Sequence, residues 1–236
     1  MTSTRTQQNE MQRKTGGRAH CFMEMVAMDA EKYCAKHTTP MSPLLEEIAD
    51  YSLNNTPYPS MLTGRVEGRF LQLITQLSGA RKVIDIGTFT GYSALAMAEV
   101  LPPRGEVITI EHNPEHAAIA QGFFARSSFA AKISLRQGEA LEILKTLPDS
   151  GVDLVFIDAD KADYSAYYQE AMRIVTDGGF ILADNALWYG RVLDPQDEDD
   201  RAIAAFNEEV NADSRVEKLL LPIRDGIYLI RKTPTS

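Results

Sequence analysis

Apolar residues along this chain keep two different periods, and the change between them falls near residue 81. Upstream, Ser42 followed by Pro43 opens a helix over residues 44–54, a capping hydroxyl followed by proline at the first helical position. Val66, Phe70, Leu73, Ile74 and Leu77 then recur at helical spacing, which predicts an amphipathic helix that stops near Gly79. Downstream, short apolar runs alternate with helical segments. Strands are expected at 82–87, 106–110, 132–136, 152–157 and 180–183, with helices at 92–101, 114–126, 140–147 and 164–175. The last of these helices is expected to stop at Gly178-Gly179. The run 152–157 is apolar throughout, as a parallel strand buried on both faces must be. Such alternation implies right-handed βαβ units and a parallel sheet with helices on both faces. The end differs: a helix over 199–211 precedes two strands, 216–221 and 227–231, around Arg224-Asp225-Gly226. That short separation predicts a hairpin whose last strand runs antiparallel to its neighbours. The division expected is an N-terminal extension over 1–40, partly helical, and one α/β domain over 41–236.

Composition narrows the function. With 44% hydrophobic residues the chain can bury a core without disulfides. Cys21 and Cys34 are its only cysteines and form no CxxC pair, which fits a reducing compartment. A formal charge of -9 repels phosphate backbones and argues against a nucleic-acid partner. No apolar run approaches the roughly 18 residues of a membrane span, so no membrane partner is expected. Residues 2–20 are polar and lack a hydrophobic signal core, which reads as a tail and favours a cytoplasmic location.

Ligands of an open α/β sheet sit beyond the carboxyl ends of its strands. The first strand ends in Asp85-Ile86-Gly87-Thr88-Phe89-Thr90-Gly91, the second at Glu111, and the third runs into Gly138-Glu139-Ala140. The glycine spacing is GxxxG, so the dinucleotide fingerprint is absent. Singly, each feature is also compatible with a tight turn or a solvated acid. Together they suggest a nucleoside ligand without a pyrophosphate: S-adenosylmethionine, with NAD as the other candidate. Glu111 could accept from a ribose diol and Asp85 could receive the amino group, while the turn at Ala140 could edge the adenine. The fourth strand ends in Asp158-Ala159-Asp160-Lys161 and the fifth in Asp184-Asn185. Asp158, Asp184 and Asn185 would meet at one rim as hard oxygen ligands, suited to Mg²⁺, Mn²⁺ or Ca²⁺. The competing explanation is that these residues only cap the following helices. Trp188 and Tyr189 could wall an aromatic pocket or belong to the core. The acidic stretch 194–200 reads as a solvated loop that, lying after the candidate metal residues, could also select substrates, and His112 and His116 read as residues of a helix face.

Five stretches carry a resemblance: Glu67-Gly68-Arg69-Phe70-Leu71, Asp85 through Ser93, Asp158-Ala159-Asp160-Lys161, Asp184-Asn185-Ala186-Leu187-Trp188, and Leu221 through Ile227. They resemble the cation-dependent O-methyltransferases, that is, the caffeoyl-CoA O-methyltransferase family with its bacterial relatives and, more distantly, catechol O-methyltransferase. The resemblance runs from about residue 43 to residue 231. It implies a class I methyltransferase fold, Rossmann-like, with a seven-stranded mostly parallel sheet, and a homodimer. It implies that Thr63, Glu67, Asp85, Gly87, Ser93, Glu111 and Ala140 touch S-adenosylmethionine, and Thr88, Asp158 and Asp160 are added as neighbours in the same motifs. It assigns the metal, Mg²⁺ first, to Asp158, Asp184 and Asn185, and gives Lys161 the role of general base, with Asp158 beside it. Many relatives carry glutamate where Asp85 stands and aspartate where Glu111 stands; both differences keep the charge. The N-terminal tail matches no coenzyme A segment, so a small catechol-like phenol is the expected substrate and a CoA-linked phenol or other natural product the alternative. An NAD-dependent oxidoreductase lacks its fingerprint here, and a non-catalytic relative would be expected to lose a metal ligand or Lys161, all of which are present.

Overall fold

The computed structural model describes residues 28–234. The tail at 2–20 and Cys21 lie outside the described residues, and Cys34 is exposed. Helix α1 spans Met28–His37, within the expected extension. It is followed by α2 (Pro43–Asn55), where the Ser42 hydroxyl accepts from the Leu45 N–H and proline takes the first turn. Helix α3 covers Gly64–Leu77.

The alternating half follows as β1 (Lys82–Ile86), α4 (Tyr92–Val100), β2 (Glu106–Glu111), α5 (Pro114–Phe124), β3 (Ile133–Gln137), α6 (Ala140–Lys145), β4 (Val152–Ile157), α7 (Tyr164–Ile174) and β5 (Val175–Ala183). Helix α8 (Glu198–Ala212) and strands β6 (Val216–Leu221) and β7 (Ile227–Lys232) complete it. The seven strands lie in the order β3-β2-β1-β4-β5-β7-β6. All pairs up to β5 are parallel, and β7 inserts antiparallel between β5 and β6. This is the class I methyltransferase fold, and its strand order reverses between β1 and β4. Chain crossovers leave opposite faces there, which opens a crevice beyond the strand ends.

Helix α4 is buried on every side, with Ala94, Leu95, Ala96, Met97 and Ala98 fully covered. It starts one turn after β1, so the core itself presses the β1–α4 loop against the crevice. Gly87 (φ 100°) shows how tightly: a Cβ there would lie 1.9 Å from the Asp158 carbonyl oxygen.

The start of β5 differs most from the sequence pattern. Gly178-Gly179 do not stop the helix, which ends at Ile174; they lie inside β5. The β4–β5 register slips between Val152↔Val175 and Leu154↔Phe180, and Gly178 at φ 80° lets the chain make that irregularity. The acidic stretch also differs. Asp197 to Asp200 form the capping box and first turn of α8, and Asp200 is buried, accepting from the Gln196 and Asp197 N–H groups.

Candidate functional site

A cavity of about 450 Å³ occupies the crevice, walled by the loops after β1, β2, β4 and β5, by residues 60–63, and by Arg224. Thr63, Gly87, Thr88, Ser93, Glu111, Asp158, Asp160, Lys161, Asp184, Asn185, Trp188 and Tyr189 all line it. Glu67, Asp85 and Ala140 do not. Glu67 and Asp85 are fully buried behind the wall, and Ala140 is half-buried at the start of α6, against the core.

At one end, register sets Asp85 beside Thr109 of β2. The Asp85 Oδ2 accepts from Thr109 Oγ1 (2.7 Å) and from Ser93 Oγ (3.2 Å), while Oδ1 has no partner. Burial pushes this carboxyl up to about 7, against the pull of those two hydrogen bonds. Thr88 Oγ1 lies 2.6 Å from the Thr109 hydroxyl. Glu111 accepts from two backbone groups, the Phe89 N–H (2.8 Å) and the Asn113 N–H (2.9 Å). Each carboxylate oxygen keeps a second lone pair for a ligand. Phe89, held at φ 48°, meets the His116 ring edge-on at 4.9 Å. His116 lies on α5 as the pattern suggests; His112 falls in the turn before that helix, and both line the cavity.

At the other end Asp158, Asn185 and the Tyr164 hydroxyl gather around one ammonium, that of Lys161. Lys161 Nζ donates to Asn185 Oδ1 and to the Tyr164 hydroxyl, both at 2.7 Å, and more weakly to Asp158 Oδ1 at 3.4 Å. Asp184 is buried, and its Oδ1 has no partner. Its carboxyl is pushed up to about 7, chiefly by burial and then by the negative charge of Asp158, with Arg224 and Lys161 opposing. Among the described residues no group of three or more His, Cys, Asp or Glu converges as a metal site; this set is two carboxylates and an amide. Its chemistry nevertheless fits a hard divalent cation: an unpartnered buried carboxylate oxygen, a second carboxylate and an amide oxygen. Trp188 is half-buried and Tyr189 is 50% exposed at the mouth. Lys161 Nζ (5.6 Å) and the Arg191 guanidinium (5.0 Å) both approach the Trp188 ring.

Two residues that the sequence pattern treats only as a hairpin turn join the site. Arg224 Nη1 pairs with Glu67 Oε2 at 2.6 Å and also donates to the Thr63 carbonyl. Burial raises the Glu67 carboxyl well above its usual range, and its Oε1 is unpartnered. Asp225 accepts from the Tyr189 N–H and the Asn185 amide. Their only advance signal is the Leu221–Ile227 stretch of the resemblance, since neither partner is near in sequence.

The chain matches the family model described as O-methyltransferase over residues 35–233. It is 37% identical to "Probable caffeoyl-CoA O-methyltransferase 2" of Dictyostelium discoideum, over 85% of this chain and 90% of that protein. It is also 37% identical to "Catechol O-methyltransferase" of Niastella koreensis, over 73% of this chain and 80% of the relative. Among solved structures, the O-methyltransferase TomG of Streptomyces achromogenes in complex with S-adenosylmethionine superposes with a TM-score of 0.79 at 29% identity, covering 87% of this chain and 96% of that one.

Proposed function

The chain belongs to the O-methyltransferase family, and from that premise we propose that it uses a divalent cation held by Asp158, Asp184 and Asn185 to methylate small catechols. It is an S-adenosylmethionine-dependent O-methyltransferase. The observation that carries the cation is the buried Asp184 Oδ1 without a donor, beside Asp158 and the Asn185 amide oxygen. When bound, a divalent ion (Mg²⁺ first, Mn²⁺ or Ca²⁺ as substitutes) supplies the positive charge that favours an ionised hydroxyl and fixes two adjacent oxygens.

The chain's own residues supply the rest. Glu111 faces the cofactor's ribose diol with the lone pairs its backbone donors leave free. Asp85, behind Ser93 and Gly87, supplies the negative field for the cofactor's ammonium group. Thr63 and Thr88 complete that end of the wall, Glu67 supports it through Arg224, and Asp160 borders the β4 loop, while Ala140, expected from the sequence to edge the adenine, lies outside the cavity wall against the core. Lys161, in its neutral form, takes the acceptor's proton and becomes the ammonium. A neutral amine has two N–H groups and one lone pair, so it can keep its short bonds to Asn185 and Tyr164 and give up the long one to Asp158. Trp188 and Tyr189 wall the acceptor ring. In transfer the acceptor oxygen bonds to the methyl carbon, the carbon–sulfur bond breaks, and its electron pair stays on sulfur as S-adenosylhomocysteine leaves.

We place the protein in the cytoplasm as a homodimer; among the described residues no helix is long and apolar enough to cross a membrane. A CoA-linked phenol is the second reading, favoured by the name of the Dictyostelium discoideum relative. The test is turnover of a catechol, its monophenol and caffeoyl-CoA, each with and without chelator. Catechol should react and its monophenol hardly at all. Chelator should abolish turnover while calorimetry still detects cofactor binding. Full activity after exhaustive chelation, or equal turnover of catechol and monophenol, would refute the cation reading.

A further inference from the structure

The backbone that carries Asn185, Trp188 and Tyr189 is held in an uncommon shape. All three residues have left-handed φ, at 55°, 44° and 54°, and none is glycine. Such conformations persist only where the surroundings over-determine them. Here the surroundings are the turn Arg224-Asp225-Gly226. The Ala186 N–H donates to the Gly226 carbonyl and the Leu187 N–H to the Asp225 carbonyl, both at 2.9 Å. The Asp225 side chain, 9% exposed, reaches past them. Its Oδ1 accepts from the Tyr189 N–H, and its Oδ2 lies 3.5 Å from Asn185 Nδ2. Gly226 makes the approach possible, because a Cβ there would lie 2.4 Å from Leu187 Cγ.

The Asn185 amide therefore stands between a carboxylate and an ammonium. Asp225 can only accept, and the Lys161 ammonium can only donate. One orientation of the amide satisfies both, with its NH₂ toward Asp225 and its oxygen toward the cluster of Asp158, Asp184 and Lys161. Turned the other way, the amide would set NH₂ against an ammonium and oxygen against a carboxylate.

We propose that Asp225 is a positioning residue for this site: it fixes Asn185 with its oxygen toward the divalent cation and holds the Trp188-Tyr189 wall through the Tyr189 N–H. The proposal rests on the reading of Asp158, Asp184 and Asn185 as cation ligands. Asp225 touches neither cofactor nor acceptor in this scheme. It acts as an outer partner that orients a ligand, and loss of such partners typically weakens metal binding by about 10–100-fold.

Asp225→Asn separates the two roles. Its side-chain oxygen still accepts from the Tyr189 N–H, so the wall stays. Its NH₂ now faces the Asn185 amide, which turns its oxygen toward Asn at 225 and its NH₂ toward the cation position. The experiment titrates Mn²⁺ alone into wild type, Asp225→Asn, Asp225→Ala and Asn185→Ala, following free Mn²⁺ by electron paramagnetic resonance. S-adenosylmethionine affinity and thermal unfolding are measured on the same samples. The expected result is wild-type Mn²⁺ binding, a loss of about 10–100-fold in Asp225→Asn, and unchanged cofactor affinity and unfolding temperature in that variant. Asp225→Ala should show the same Mn²⁺ loss and also a raised KM for catechol. Mn²⁺ affinity equal to wild type in Asp225→Asn would overturn the proposal. So would parallel losses of Mn²⁺ affinity, cofactor affinity and thermal stability, which would mark a purely structural clamp. If wild type binds no Mn²⁺, or Asn185→Ala binds it as tightly as wild type, the ligand reading itself fails and the proposal falls with it.

Discussion

Replacing Asp85 with asparagine should flatten the pH dependence of this protein's stability. Asp85 has no solvent exposure, two hydroxyl donors on Oδ2 and none on Oδ1. Its carboxyl is held at about 7 in the fold, against 3.8 as its ordinary value, which the unfolded chain should approach. A raised folded value means that the native state binds more protons than the unfolded state between those limits. Its stability contribution is therefore full below the unfolded value and is lost as pH rises through the folded one. Each unit corresponds to about 1.4 kcal/mol, so from about pH 5 to about pH 8 ionisation of Asp85 alone should remove about 2.5 kcal/mol. Asparagine keeps the shape and cannot ionise. Other buried carboxyls, Asp184 and Glu67 among them, titrate in both proteins and cancel in the difference. The assay is urea unfolding of the cofactor-free protein at several pH values, with free energies from linear extrapolation. The wild-type curve should fall toward the variant's, or below it, as pH rises, with most of the change complete by about pH 8. On the proposed role of Asp85 as the negative field for the cofactor's ammonium group, saturating S-adenosylmethionine should lift the wild type at the upper end and leave the variant's slope unchanged. Parallel curves without cofactor would refute the argument, because they would mean that Asp85 is ionised at little cost throughout.

Arg224→Ala should destabilise the fold by about 3 kcal/mol at neutral pH, because it strips the fully buried Glu67 of its charged partner; the double variant with Glu67→Gln should recover much of that loss in urea unfolding. Glu111→Ala should weaken S-adenosylmethionine binding by about 1.5–3 kcal/mol in calorimetry, through loss of charged hydrogen bonds to the ribose and of the carboxylate that anchors the Phe89 loop. Lys161→Ala should lower kcat on a catechol by about 10²–10⁴-fold with KM less affected, and a wild-type rate in steady-state kinetics would remove it from the mechanism.

The parts of this protein that were legible in the sequence are those governed by local rules. Ser42-Pro43 announces α2 because a cap and a fixed proline φ act within one turn. The run Val152–Ile157 announces a central strand because burial on both faces leaves no polar position. Gly178-Gly179 misled for a related reason: glycine ends a helix easily, but it equally permits a strand to slip register, and only the pairing with β4 decides. The acidic stretch misled because solvation and helix capping favour the same residues, and Asp200 became the buried half of the capping box opened by Asp197.

The site divides along the same line. Strand ends are readable, so the sequence alone places Gly87, Glu111, Asp158, Asp184 and Asn185 at strand termini that share one rim. Arg224 and Asp225 could not, because their partners, Thr63, Glu67, Asn185 and Tyr189, are brought to them by β7 inserting antiparallel beside β5. That insertion has a mechanical consequence. A single turn grips the α3 end of the cavity wall with one residue and the β5 loop with the next, so the two halves of the site share one support. Residues so placed carry no chemistry of their own that a motif could announce. The effect of Asp225 appears only as the angle of an amide and the φ of an aromatic, which is why variants at 225 are the ones to separate binding geometry from bond-making.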